Sequence, residues 1–350
     1  MAASSRKRSA GEHEFLEALR SAASRLGGSS GVVIGIGDDA AVVRTGPRTV
    51  LTTDSLIEGV HFHGGWLTPA ELGRRAFRVS ASDVAAMGGR PRYVLLSLEA
   101  PPLAAAGSGF DIAFAMEILR GLAGDARRVG AELVGGNVSA AAQWGVTVTV
   151  VGSAPTRPVT RCGARVGDLV LVTGALGGAA AGVRTLAQGS AGARRLPLRR
   201  EAVTSAYRKP PCRLGLGADL AEARLLRSMI DVSDGLVQDL GHLCRHSDVS
   251  ISFDSLEVPI HRAATTAVDG ARDAALALAL GGGEDYELAM TAAPANRNAI
   301  ERIAARHRCR LTVIGTVTAG SSGVTDVRGM LGGQRGFDHF RAAGKPKGRR

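Results

Sequence analysis

The sequence predicts an α+β protein of two domains, with mixed sheets flanked by helices. At 350 residues the chain exceeds one ordinary core and suits two. Period-2 and helical apolar patterns alternate through both halves. Residues 153–166, with Pro155 and Pro158, read as a linker between them.

In the first half, strands are expected at 32–36, 49–53, 93–98 and 146–150, the last with Val and Thr in strict alternation. Pro69 with Glu71 opens a helix toward 79, and 110–129 carries Phe114, Ile118, Leu119, Leu122 and Ala126 at helical spacing. In the second half, strands are expected at 168–173, 250–253, 285–290 and 311–317, and helices at 178–187, 218–227, 234–244 and 298–307. Gly135-Gly136-Asn137 and residues 174–178 read as glycine-rich reversals. The expected divisions are a disordered tail over 1–10, a first domain over 11–153, a second over 154–340 and a basic disordered tail over 341–350.

Formal net charge is +11, yet much of the excess sits in SSRKR and GKPKGRR, and aromatic residues are only 4%. That weighs against nucleic acid and for solvated tails. Cys162, Cys212, Cys244 and Cys309 form no CxxC pair, so neither a zinc knuckle nor a disulfide framework is signalled and a cytoplasmic location is expected. No apolar run is long enough to span a bilayer. No GxxxxGK[ST], no GxGxxG between strand and helix, and no GxSxG elbow is present. His242 and His246 share a helical face, but Cys244 points away, which disfavours zinc.

Against this basic background stand five acidic strings: GIGDDAA (35–41), TTD (52–54), SDVAAMGG (82–89), DVSDG (231–235) and GGGEDYE (281–287). Carboxylates beside glycine concentrate hard oxygen ligands where backbone and ligand approach closely, which suits Mg²⁺ carrying phosphate. Asp39 is a candidate ligand, with a plain Asp turn as the competing reading. Thr52, Thr53 and Asp54 are expected at the carboxyl edge of a strand, and His61 follows as a neutral donor or as a structural histidine. Asp83, by itself, reads as a helix cap; Asp231 and Asp234, three apart across a strand-to-helix junction, read as functional, with the Ser233 hydroxyl between them. Glu284 stands at the edge of a glycine loop for which a bare turn is the alternative.

In order, GIGDDAAVV, TTDSLIEGVHF, SDVAAMGGRP, LVGGNVS, TRCGARVGD, DVSDGLVQDLGHL and GGGEDYEL resemble the thiamine-monophosphate kinase family, and the resemblance runs from GEHEF to GFDHF. It implies an aminoimidazole ribonucleotide synthetase-like fold, a homodimer with an N-terminal sheet at the interface, and ATP-dependent phosphorylation of thiamine monophosphate assisted by several Mg²⁺ ions. Carried over by position, Asp39, Thr52, Thr53, Asp54, Asp83, Asp231 and Asp234 resemble Mg²⁺ ligands. Asn137 stands where many members have an Asp ligand, and its amide oxygen supplies no charge. Gly136, Arg161 and Ser233 resemble nucleotide contacts; His61, Glu284 and Phe337 resemble substrate contacts. Lys209 stands before Pro210 where relatives often have Arg, so the bidentate fork is lost.

The implied acceptor is a phosphate oxygen, already ionised near neutral pH, so no general base is assigned and none is needed. Rival readings are another ATP-dependent member of the superfamily, or a non-catalytic nucleotide- or nucleic-acid-binding protein. Against the first, the chain ends Gly348-Arg349-Arg350 rather than in cysteine, and its first cysteine is Cys162.

Overall fold

The computed structural model describes residues 31–34, 41–102, 111–188, 198–320 and 322–330. Asp39 and Phe337, with both termini, lie outside the described residues.

After a small antiparallel pair, β1 (Val32–Ile34) with β2 (Val42–Val43), the first unit contains β3 (Thr49–Ile57), α1 (Pro69–Ala86), β4 (Arg90–Ala100), α2 (Ile112–Arg128), β5 (Glu132–Ala140) and β6 (Gly145–Ser153). Its sheet runs β3-β6-β4-β5, antiparallel except for β4 with β5. Val146, Val148 and Val150 are fully buried, so one face of the alternating strand enters the core. Thr68 caps α1, its hydroxyl accepting from the Glu71 N–H while Glu71 accepts from the Thr68 N–H, and Pro69 occupies the first turn. α1 and α2 cross closely because Gly73 and Gly121 meet backbone: a Cβ on Gly73 would lie 1.8 Å from the Ile118 carbonyl oxygen.

The second unit contains β7 (Leu169–Thr173), α3 (Gly178–Ala187), α4 (Leu198–Arg208), α5 (Leu214–Glu222), β8 (Ser228–Val232), α6 (Leu236–Ser247), β9 (Ser250–Phe253), α7 (Arg262–Ala267), α8 (Arg272–Gly281), β10 (Glu287–Ala292), α9 (Arg297–Arg306), β11 (Leu311–Thr318) and β12 (Val324–Asp326). Its sheet order is β12-β9-β11-β7-β10-β8, with only β12 and β9 parallel. Every residue of β8 and β10 is buried, as in strands covered on both faces. This is the expected α+β architecture of mixed sheets flanked by helices.

One apolar cluster joins Leu56, Val84 and Val148 of the first unit to Leu214, Met229 and Leu288 of the second. The junction is therefore core rather than a loose interface. No helix among the described residues is long and apolar enough to cross a membrane.

Several local expectations are corrected. TTD does not end a strand, because β3 continues to Ile57 and is paired with β6 throughout. SDVAAMGG does not start a helix: Asp83 lies in the last turn of α1. GGN is not a reversal but part of β5, where Gly136 lets the strand approach the Leu96 carbonyl, 1.9 Å from where a Cβ would stand. The helix expected over 218–227 is displaced to α5 and is followed by β8.

Candidate active site

Period 2 along β3 sends Val50, Thr52, Asp54 and Leu56 toward the helices, and Leu51, Thr53 and Ser55 to the other face. On the inner face Thr52 donates to the Asp83 carboxylate at 2.5 Å, joining β3 to α1. One residue earlier in α1, buried Ser82 donates to Asp231 at 2.7 Å, joining α1 to the end of β8. Thr52, Asp54 and Asp83 of the first unit thus meet Asp231 of the second.

The electrostatics of the group follow from burial without a counter-charge. Desolvation raises the Asp54 carboxyl to about 6, helped by the Asp83 charge and opposed by a Ser80 hydrogen bond. Desolvation and then Asp83 raise Asp231 to about 7, against the Ser82 hydrogen bond. No cationic side chain contributes to either shift among the described residues. Oxygen is the only side-chain donor the four residues offer, which in chemistry suits a hard divalent cation such as Mg²⁺ that would supply the missing positive charge, although their carboxylates are not gathered within 4.8 Å of one another.

A cleft of about 430 Å³ opens on this group, with Thr52, Asp83, Arg161, Met229, Asp231 and His246 among its walls. Arg161 is exposed at its rim, and its carbonyl accepts from Ser247 at the end of α6, which ties the linker down.

A second acidic group adjoins the first. Ligand atoms of Asp234, Asp239 and His242 lie within 4.8 Å of one another, and the Ser233 and Asp234 N–H groups each donate to Asp239 at 3.1 Å. Desolvation, with the charges of Asp234 and Asp231, raises Asp239 to about 8. Asp239 escaped the sequence reading; its signal was a carboxylate in the first turn of a helix whose neighbours at that spacing are apolar.

Two of the expected substrate contacts, Glu284 and His61, meet on a third group. Glu284 pairs with Arg75 at 2.7 Å, and its N–H donates to the Ser233 carbonyl at 2.7 Å. The Tyr207 hydroxyl donates to the His61 carbonyl at 2.6 Å, while His61 Nδ1 accepts from the Ile57 N–H at 3.0 Å. Accepting at Nδ1 leaves the proton of the neutral ring on Nε2. Neither Arg75 nor Tyr207 was picked out from sequence.

Two expected ligands are not brought to the carboxylates. Thr53 bonds Thr149 at 3.0 Å on the outer face of the sheet. The register aligns Ser55, Thr147, Ser97 and Asn137 across four strands, so Asn137 lies on that same outer face. Three strand spacings also separate it from β3, about 14 Å. Gly136 lies beside it on the same edge strand.

The description AIR synthase related protein, N-terminal domain, fits residues 37–154, and the corresponding C-terminal domain fits 165–328. The chain is 38% identical over 266 residues to thiamine-monophosphate kinase of Mycobacterium tuberculosis, covering 73% of this chain and 74% of that protein. The crystal structure of thiamine-monophosphate kinase from Stenotrophomonas maltophilia K279a matches with a TM-score of 0.79 and 32% identity, over 90% of this chain and 96% of that one. A structure of AaThiL complexed with AMPPCP and TMP matches with a TM-score of 0.72 and 29% identity, over 97% and 100%. With both domains matched and the likeness extending over most of its length, the chain belongs to the thiamine-monophosphate kinase family of AIR synthase related proteins.

Proposed function

We propose that this chain transfers the γ-phosphoryl group of ATP to thiamine monophosphate, giving thiamine diphosphate and ADP by direct in-line displacement with several Mg²⁺ ions bound. The observation that carries the reading is the meeting of Thr52, Asp54, Asp83 and Asp231 at the junction of two units. It lies in a chain whose relatives are named thiamine-monophosphate kinases, one of them solved with AMPPCP and TMP.

The two substrates are polyanions, and two unit charges 4 Å apart repel by about 4 kcal/mol at an effective dielectric near 20. Mg²⁺ when bound neutralises phosphate charge and stabilises the transferring group. Asp54, Asp83 and Asp231, with the Thr52 hydroxyl, are the residues that would hold it, and the carboxylates of Asp234 and Asp239 would offer a neighbouring position. Arg161 and the Ser233 loop face the nucleotide; Glu284 and His61 face the acceptor. The acceptor oxygen is ionised already, so these residues align it and need not take a proton.

The same reading makes the chain a cytoplasmic homodimer built on the outer face of the four-stranded sheet. Leu51, 66% exposed there beside the hydroxyls of Thr53 and Ser55, supports that surface. Thr53 and Asn137 then belong to the subunit interface rather than to the carboxylate group.

Purified chain incubated with Mg²⁺, ATP and thiamine monophosphate is expected to form thiamine diphosphate and ADP in equal amounts. Absence of thiamine diphosphate above a boiled control refutes the reading.

A further inference from the structure

We propose that Arg75 is a positioning residue for the phosphate acceptor, holding Glu284 and, through Tyr207, the His61 turn in one fixed relation. The inference rests on the reaction proposed above.

Arg75 lies in α1 and is fully buried. Its guanidinium donates to Glu284 at 2.7 Å and to the Tyr207 carbonyl at 2.5 Å. Its Cζ stands 4.1 Å from the centre of the Tyr207 ring and 5.9 Å from that of Tyr286. The three elements it clamps come from both units: α1, the end of α4, and the loop before β10. In that loop Glu284 and Tyr286 both hold positive φ, +60° and +49°, a conformation that persists only where surrounding contacts impose it.

An apolar side chain of similar volume would fill this space without a buried charge, so packing alone does not call for arginine. What arginine adds is a planar fork that reaches a carboxylate and a carbonyl together. Glu284 is partly exposed whereas Arg75 is not, so the arginine acts behind the carboxylate. The Tyr207 hydroxyl carries the same clamp to the His61 carbonyl. Two of the expected acceptor contacts, Glu284 and His61, one from each unit, thus depend on a buried side chain that stands behind them.

The test measures KM for thiamine monophosphate and for ATP separately in wild type, Arg75→Lys and Tyr207→Phe. Lysine keeps the charge and loses the fork; phenylalanine keeps the ring and loses only the bond to His61. We expect Arg75→Lys to raise KM for thiamine monophosphate about tenfold with KM for ATP within about twofold, and Tyr207→Phe to raise the first alone about threefold. Equal rises in both constants, or no rise in either variant, overturn the inference. If Arg75→Lys does not fold, Tyr207→Phe decides. A wild type that forms no thiamine diphosphate refutes the reaction and the inference with it; an active wild type with unchanged variant constants refutes the inference alone.

Discussion

Ser82 separates the two jobs of the carboxylate group, because it touches Asp231 and cannot itself replace a lost charge. Ser82→Ala should cost about 1 kcal/mol in thermal or denaturant unfolding. If Asp231 holds the cation as proposed, Ser82→Ala should also raise the Mg²⁺ concentration needed for half-maximal turnover about tenfold, as loss of a hydrogen bond behind a metal ligand does. Asp231→Asn, which removes the charge, should lower kcat by about 10² or more, read in the same assay. At this scale the sequence was partly legible. Asp83 and Asp231 stand out because each lies in an acid-and-glycine string of a basic chain, and Asp54 because it follows two threonines at the polar end of an apolar run. Ser82, Arg75 and Asp239 did not, because a buried polar residue in a helix shows only as a gap in its apolar stripe. Which gap faces a site depends on elements far away in sequence, as the bond from Ser82 to β8 illustrates.

Elements carry their own tests. Gly121→Val in α2 forces a side chain into the Ala70 carbonyl and should destabilise by about 1–3 kcal/mol, while Thr68→Ala removes the α1 cap at about 1 kcal/mol, both read by denaturant unfolding. Asp285 accepts from the N–H groups of Gly177 and Ala179 at the start of α3, and burial raises its carboxyl from 3.8 to about 7 despite those bonds. The folded chain therefore keeps a proton that the unfolded chain releases between those values, and over that range this group makes stability fall as pH rises. Asp285→Asn should flatten the slope of unfolding free energy against pH by up to about 1.4 kcal/mol per pH unit. The element types most legible were those with clean periods, β6 above all, and α3 was expected with its observed bounds. β5 was missed because glycine is depleted from strands, yet here close pairing with β4 demands it at Gly136. α1 was expected to stop near 79 because Ser80, Ser82 and Asp83 break its apolar run; in the folded chain Ser80 donates to the Val148 carbonyl, Ser82 donates to Asp231 and Asp83 accepts from Thr52.

The whole molecule is bound together by the core that Val84, Leu214, Met229 and Leu288 share across the two units. Equilibrium unfolding followed by fluorescence and by circular dichroism should therefore give coincident transitions, and a fragment ending at residue 153 should not fold alone. Sequence length and the linker predicted two units; nothing in the linear pattern could show one apolar cluster running through both, since its members are contiguous only after folding. The proposed reaction requires carboxylates from the two units to hold the divalent cation jointly. A crystal grown with an ATP analogue and Mn²⁺ in place of Mg²⁺ tests it by anomalous scattering. A peak bounded by Asp54, Asp83 and Asp231 is expected; no peak there, or peaks only on the outer face beside Thr53 and Asn137, would rule this cation site out.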